Sequence, residues 1–400
     1  MGIKKENVPG MRINLLFIIL TASLGFTTVK GQITTRQQVA IFVPLYLDSA
    51  FDISSSYRYG KNFPKQSING LEFFEGAQFA MDSIHLEGIN AEYHVFDTRN
   101  ASNPISRIVS SNLFDSINLI IGSVSGNEYL LLADLAKRKK IPFISATYPN
   151  DGGIKSNPQV VMVNPKINTH LQATYNHLLK NYAGNKLIYL RRNNFADDRV
   201  FDVFKSLDSS ASGGLLKFKP VNLPEAFSIN DIQPLLDSMR QNVIICGSLD
   251  ENFGRDLALA TSNLGKPYQV TLIGMPTWES IKELSKPELK AIPIIYSSSF
   301  YNPGTEKWTI DFETAYRKQS FSKPSDMAYR GFEITYYFMH LLQKYGTTLN
   351  QNLTDKSIKL ITDYDFRPIR WTRDATTPDY YENKRVYLLK HLNGMTTPLY

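Results

Sequence analysis

A single cysteine, Cys246, is present, so no disulfide can form within the chain. It lies in the apolar run Val243–Cys246, where a buried, inert thiol is expected. Stability must then come from core size, which 400 residues allow. Apolar runs long enough to span a bilayer are also missing. The run Ile13–Phe26 is interrupted by Thr21 and Ser23 and falls short of the roughly 20 residues a spanning helix needs. Catalytic signatures are scarce as well. There is no G-x-G-x-x-G after the first strand, no G-x-x-x-x-G-K-[ST], no H-E-x-x-H and no C-x-x-C. The segment Gly122-Ser-Val-Ser-Gly126 has valine at its centre and is not the G-x-S-x-G nucleophile elbow. His170 and His177 stand seven apart, too far for a zinc pair on one helical face. These absences argue against an enzyme, a metal site or a bound cofactor.

The charge balance excludes another class. The formal net charge is +7, and Lys4, Lys5, Arg12, Lys30 and Glu6 all fall in the first 31 residues. The remaining excess is small for a surface of this size and does not imply nucleic acid. The densest basic run, Lys137-Arg138-Lys139-Lys140, closes a predicted helix, where cations complement the helix dipole. Hydrophobic content of 42% and charged content of 20% are ordinary for a globular chain.

The N-terminus has a basic start, a short apolar core and the small residues Val29 and Gly31 before Gln32. That pattern describes a secretory signal over residues 1–31 and a periplasmic address, with an uncleaved anchor as the alternative. Met11 is a second possible start. No cysteine near Gln32 supports a lipid anchor.

Beyond it, strand-like runs alternate with helix-like segments. Val39–Leu45 is continuous and apolar, as a strand buried on both faces should be. A helix over Ile68–Leu86, a strand over Glu92–Phe96 and a helix from Pro104 to Phe114 follow, then a strand over Leu119–Ile121, a helix over Glu128–Lys139 and a strand over Ile141–Ser145. After Asn164 the pattern restarts, with helices expected over His170–Tyr182, Asp198–Leu207, Ile229–Arg240 and Asn252–Asn263. Strands are expected over Lys186–Leu190, Leu215–Phe218, Val243–Cys246, Gln269–Ile273 and Ile292–Ser299. A long helix, Ser325–Tyr345, and an extended aromatic tail, Phe366–Leu392, close the chain. The fold class is α/β, with two parallel-sheet blocks.

The stretch Leu119–Pro149, LIIGSVSGNEYLLLADLAKRKKIPFISATYP, carries most of the functional signal. Small polar turns follow both of its strands, with Ser123, Ser125 and Asn127 at the first and Ser145 and Thr147 at the second. Ligands bind at such strand ends in open α/β sheets. The plainer alternative is that the serines only cap the next helix.

These residues resemble type I periplasmic solute-binding proteins of the branched-chain amino-acid receptor group. The resemblance runs over roughly Gln38–Leu392 and is carried by VAIFVPL, LEFFEGAQFAMDSI, IIGSVSG, IPFISATYP, VTLIGMPTWES, the block from Ile294 to Phe338, and the tail DFRPIR…YYENKRVYLL. GMPTWE and the YEN-containing tail resemble a subgroup found in Bacteroidetes-type envelopes. The resemblance implies two Rossmann-like lobes joined by three crossings. Lobe 1 would take residues 38–164 plus 299–345, and lobe 2 residues 165–298 plus 346–400. It implies no catalysis and a small polar ligand held between the lobes. Its carboxylate would meet Ser123, or Ser125, and Thr147, with the Ala146 carbonyl as an acceptor. Phe195 matches the aromatic residue that closes from the second lobe. The position that normally supplies a carboxylate for an ammonium falls at Pro276, a departure for which Glu279, Asp250 or Glu251 would substitute. Trp278 either stacks on the ligand or packs within its lobe. The implied partner is a membrane permease of an ABC-type transporter. The alternative is an envelope sensor or cell-wall scaffold built on the same fold.

Overall fold

The apolar run near residue 40 forms β1 (Gln37–Val43), in which Val39 to Val43 expose no surface. Such a strand belongs in the middle of a helix-covered sheet, and β1 pairs with a neighbour on each side. The computed structural model describes residues 36–210, 214–264, 268–372 and 374–399. The expected signal segment, residues 1–31, lies outside the described residues.

After β1 come the one-turn α1 (Leu47–Ala50), α2 (Lys65–Leu86), β2 (Ala91–Asp97), the one-turn α3 (Ile105–Ile108), β3 (Leu119–Gly122), α4 (Gly126–Lys139), β4 (Phe143–Ser145) and β5 (Val160–Met162). Next are α5 (Ile167–Tyr182), β6 (Lys186–Arg191), α6 (Phe195–Ser210), β7 (Pro220–Asn222), α7 (Ile229–Ile232), β8 (Gln241–Cys246), α8 (Glu251–Ser262), β9 (Gln269–Ile273) and β10 (Ile294–Ser298). The chain ends with α9 (Lys307–Ser320), α10 (Asp326–Tyr345), β11 (Phe366–Ile369), β12 (Tyr380–Asn383), β13 (Tyr387–Leu392) and β14 (Met395–Leu399).

Two seven-stranded sheets result, in the orders β11-β12-β5-β4-β3-β1-β2 and β14-β13-β10-β9-β8-β6-β7. Pairing is parallel through the body of each sheet. It turns antiparallel at one edge, where β11 joins β12 and where β13 joins both β10 and β14. The chain passes between the lobes three times: after β5, after β10 and between β12 and β13.

On one face of the first sheet, α2 and α10 lie side by side, and Phe73, Phe312 and Phe338 share the core beneath them. On the other face, Phe42, Phe114, Tyr129 and Phe143 form a second core under α4. The second lobe is built around Tyr189, Phe204, Phe253 and Trp278.

The expected lobe assignment differs at one place. Residues 346–383 were assigned to lobe 2, but β11 and β12 complete the first sheet, where Tyr381 pairs with Val161 and Glu382 with Met162. The open edge of β5 supplies the free N–H and C=O groups that make this pairing favourable. Three local expectations also change. The helix expected over Pro104–Phe114 breaks into α3 and a 3-10 turn; at the break the Ser110 hydroxyl donates to the Ser106 carbonyl at 3.0 Å, a local bond that competes with the helical pattern. The helix over Ile229–Arg240 stops at Ile232, since Pro234 cannot continue it. The strand expected at Leu215–Phe218 forms instead at Pro220–Asn222, on the sheet edge where a proline is tolerated. The helix α9 was not anticipated.

Candidate ligand-binding site

Strands β1 and β3 are neighbours although β2 lies between them in sequence, so the connections after them leave in opposite directions. Crevices form at such switch points. Ser123 stands immediately after β3, with its N–H donated to the Phe42 carbonyl at 2.9 Å. Thr147 stands two residues after β4. Gly122 pairs with Ser145, and the Ala146 N–H donates to the Gly122 carbonyl at 2.9 Å, which fixes both turns on one rim. The Ser123 and Thr147 hydroxyls come within 3.3 Å of each other. Asn164, at the first crossing, donates through Nδ2 to the Thr147 carbonyl at 2.6 Å, and the Arg330 guanidinium donates to Asn164 Oδ1. Arg330 also lies over the Phe300 ring, at 5.9 Å, on the second crossing. The rim hydroxyls are thereby tied to two of the three hinge segments.

Ser125 is exposed and starts α4 without a side-chain cap bond. Glu128 turns back toward the Ser125 N–H, so the positive end of this helix already faces a carboxylate of its own chain. Desolvation raises the Glu128 pKa, opposed by Arg99 at 3.3 Å. The hydroxyl pair is therefore a better candidate anion contact than the helix terminus. Ala146 is fully buried.

A cavity of about 300 Å³ lies beside this rim, walled by Pro149, Asn164, His170, Leu249, Pro276 and Glu279 among others. It brings together residues of both lobes and of the crossings. Of the three carboxylates considered as replacements at the Pro276 position, only Glu279 lines it. Asp250 is occupied: Oδ1 accepts the Phe253 N–H at 2.9 Å as the cap of α8, and Oδ2 meets Arg192 at 3.3 Å. Glu251 is an exposed first-turn residue of α8. Glu279 accepts the Ser298 hydroxyl at 2.9 Å. Solvent reaches it through the cleft, yet protein surrounds it on most sides. That desolvation raises its pKa; the Ser298 bond lowers it, Asp326 raises it further and Arg330 opposes the rise.

Trp278 is packed inside its lobe. Only 1% of it is exposed, and its indole fills the space left by two glycines. A Cβ at Gly274 would stand 2.3 Å from the ring, and one at Gly254 would stand 2.5 Å from it. This burial favours the packing alternative. Phe195 is the opposite case, 76% exposed at the start of α6, with Arg199 over its ring at 5.9 Å. It lies outside the cavity lining, as do Ser123, Ser125 and Thr147, which approach it through Asn164 and Pro149. Burial pushes the Cys246 thiol up to about 12, consistent with an inert core residue. Among the described residues no group of His, Cys, Asp or Glu side chains is arranged to hold a metal.

Asn164, Asp326 and Arg330 were missed as site residues. None sits in a recognisable motif, and only the crossing geometry brings them together. His170, expected to be an ordinary surface or core residue, is 6% exposed, lines the cavity, and places Nδ1 3.0 Å from Ser297 Oγ. Burial lowers its pKa to about 4, despite the opposing field of Glu382. Above the unfolded value of 6.5 both folded and unfolded chains keep this ring neutral. Between 6.5 and 4 the unfolded chain takes up a proton that the folded chain refuses, so stability falls with pH by up to ~1.4 kcal/mol per unit. Thermal melts between these limits should show a flatter pH dependence for His170→Gln than for the parent. Equal slopes would remove this residue from the account of acid sensitivity.

The comparisons agree with this architecture. A family model described as periplasmic binding protein matches residues 65–377. The chain belongs to the periplasmic binding protein family. Its fold is shared with a putative branched-chain amino acid ABC transporter protein from Rhodospirillum rubrum, at 12% identity and a TM-score of 0.65, covering 91% of this chain and 100% of the other. A leucine-bound ABC transporter substrate-binding protein from Desulfitobacterium hafniense gives 16% identity and 0.55 over 91% and 100%. A benzoate-bound solute-binding protein from Rhodopseudomonas palustris gives 14% and 0.50 over 91% and 95%. A search of curated protein sequences finds no match. Periplasmic binding proteins are solute receptors, and two lobes of this family's type flank the cavity described above. No helix among the described residues is long and apolar enough to cross a membrane.

Proposed function

We propose that this periplasmic binding protein clamps a small carboxylate-bearing molecule, an amino acid or a relative of one, and hands it to a membrane permease of an ABC-type transporter. It does so without chemical turnover. The observation that carries the reading is the Ser123–Thr147 hydroxyl pair, held at 3.3 Å on adjacent strand ends and connected through Asn164 to the cavity that Glu279 borders. The hydroxyls and nearby backbone N–H groups suit an anion, and Glu279 suits a cation at the other end of the same ligand. The relatives bound to leucine and to benzoate support the first half, since the two compounds share little beyond a carboxylate. The leader-like residues 1–31 support export to the periplasm.

L-leucine and benzoate serve as calorimetric probes. The double variant Ser123→Ala, Thr147→Ala should weaken both by about tenfold or more, the worth of hydrogen bonds to a charged group. Glu279→Gln should weaken leucine and spare benzoate, which has no ammonium. Parental affinity in the double variant would remove the hydroxyl pair from the site.

A further inference from the structure

We propose that Glu382 sets the angle between the two lobes. It is the third residue of β12, in the sheet of the first lobe, and exposes no surface. None of its polar partners belongs to that sheet. Oε1 accepts the Lys166 N–H at 3.0 Å and the Thr169 hydroxyl at 2.7 Å. Lys166 ends the first crossing, and Thr169 lies in the first turn of α5, a helix packed in the second lobe. Oε2 meets the Lys384 ammonium at 2.8 Å, an ion contact without good hydrogen-bond alignment, in the third crossing. Lys384 in turn donates to Thr169 Oγ1 at 3.0 Å.

The helix itself shows why the carboxylate is there. Lys166 stands just before α5, at its N-cap, and offers no side-chain cap. A helix start leaves N–H groups without partners and a positive dipole end. Here the first lobe supplies the anion that covers it. The next residue, His170, places Nδ1 3.0 Å from Ser297 Oγ, near the end of β10, the strand from which the second crossing leaves. The first and third crossings therefore meet at one turn of α5, and the second leaves from the strand beside it.

Glu382 cannot follow that turn if it moves. Its neighbour Asn383 donates through Nδ2 to the Val163 carbonyl at 3.0 Å and accepts the Asp365 and Arg385 N–H groups at 3.0 and 3.1 Å. β12 is fixed to β5, while α5 is fixed to the other lobe. A rotation of one lobe on the other about an axis that does not pass through this turn stretches the bonds to Glu382 Oε1. A buried carboxylate is costly unless partnered, so the angle that keeps these bonds is favoured over others. Glu382 is a positioning residue: it lies outside the cavity lining and acts by setting the relative populations of open and closed lobes. The consequence for affinity rests on the clamshell reading above, but the angle itself is measured without ligand, so the two fail separately.

The test uses the full chain with Ser106→Cys in the first lobe and Lys205→Cys in the second, both exposed positions, each carrying a spin label. Cys246 is fully buried and stays unlabelled. Pulsed electron-spin distance measurements on the ligand-free protein should give a broader, shifted distribution in Glu382→Ala. The population ratio should change by about tenfold, the scale of one charge-assisted contact. Glu382→Gln keeps an acceptor for Thr169 and should restore most of the parent distribution. A parental distribution in Glu382→Ala overturns the proposal, whatever happens to the melting temperature. If Glu382→Ala does not fold, Thr169→Val decides: it deletes the hydroxyl that donates to Glu382 and accepts from Lys384, and an unchanged distribution in that variant overturns the proposal equally.

Discussion

Gly76→Val is expected to be the most damaging single substitution outside the cleft, leaving little folded protein. Helices α2 and α10 touch backbone to backbone. A Cβ on Gly76 would lie 1.9 Å from the Ala328 carbonyl oxygen, and one on Gly331 would lie 2.0 Å from that of Phe73. Those obstacles are main-chain atoms of helices that also cover the core of the first sheet, so neither can rotate away as a side chain would. Overpacking a core typically costs about 1–3 kcal/mol. With backbone as the obstacle the upper end or more is expected, against a total stability of only about 5–15 kcal/mol. Gly76→Ala should already lower the urea midpoint clearly. Gly88→Ala is the control, since that residue has free space around it and a φ of +80°, so only conformational strain of about 1–2 kcal/mol applies. Equal midpoints for Gly76→Ala and the parent would mean that the two helices separate easily, contrary to this packing.

Trp278→Ala comes next. The indole is the largest fully buried side chain of the molecule's described part, seated against Gly254 and Gly274. Deleting a buried tryptophan side chain typically costs about 3–5 kcal/mol, because transfer energy is lost and a cavity remains. Chemical unfolding followed by circular dichroism measures it. Whatever fraction stays folded at low temperature should still bind a carboxylate probe, since the ring faces the core of its own lobe. Selective loss of binding with unchanged stability would reverse the assignment and return the ring to the ligand.

These two positions mark the limit of what the sequence discloses. The parallel strands were legible because burial on both faces demands unbroken apolar runs, as in Val39–Val43 and Val243–Cys246. Ser123 and Thr147 were legible as small polar residues just past such runs. The seat of Trp278 was not, because its walls, Gly254 and Gly274, come from a helix and a strand end 20 residues apart and are joined only by packing. The lobe membership of β12 was not legible either: it pairs with β5 across more than 200 residues, and nothing local in YYEN specifies a partner. Nor could Asn164, Arg330 and Glu279 be grouped without the crossings that bring them together. α9 is different. Trp308, Phe312 and Tyr316 recur every four residues along it, a helical signal present in the sequence.

The last two strand pairs have a consequence for the life history of the chain. β11 and β12 finish the first sheet from residues 366–383, and β13 and β14 finish the second from residues 387–399. Neither half can therefore be completed while the C-terminal strands are still on the ribosome or inside a translocation channel. Both must wait for the same late segment, and each closes its sheet through contacts that are distant in sequence, the kind that form slowly. No contiguous fragment consists of one whole lobe alone. A polypeptide of this design stays incompletely folded until residues 366–399 are free to pair.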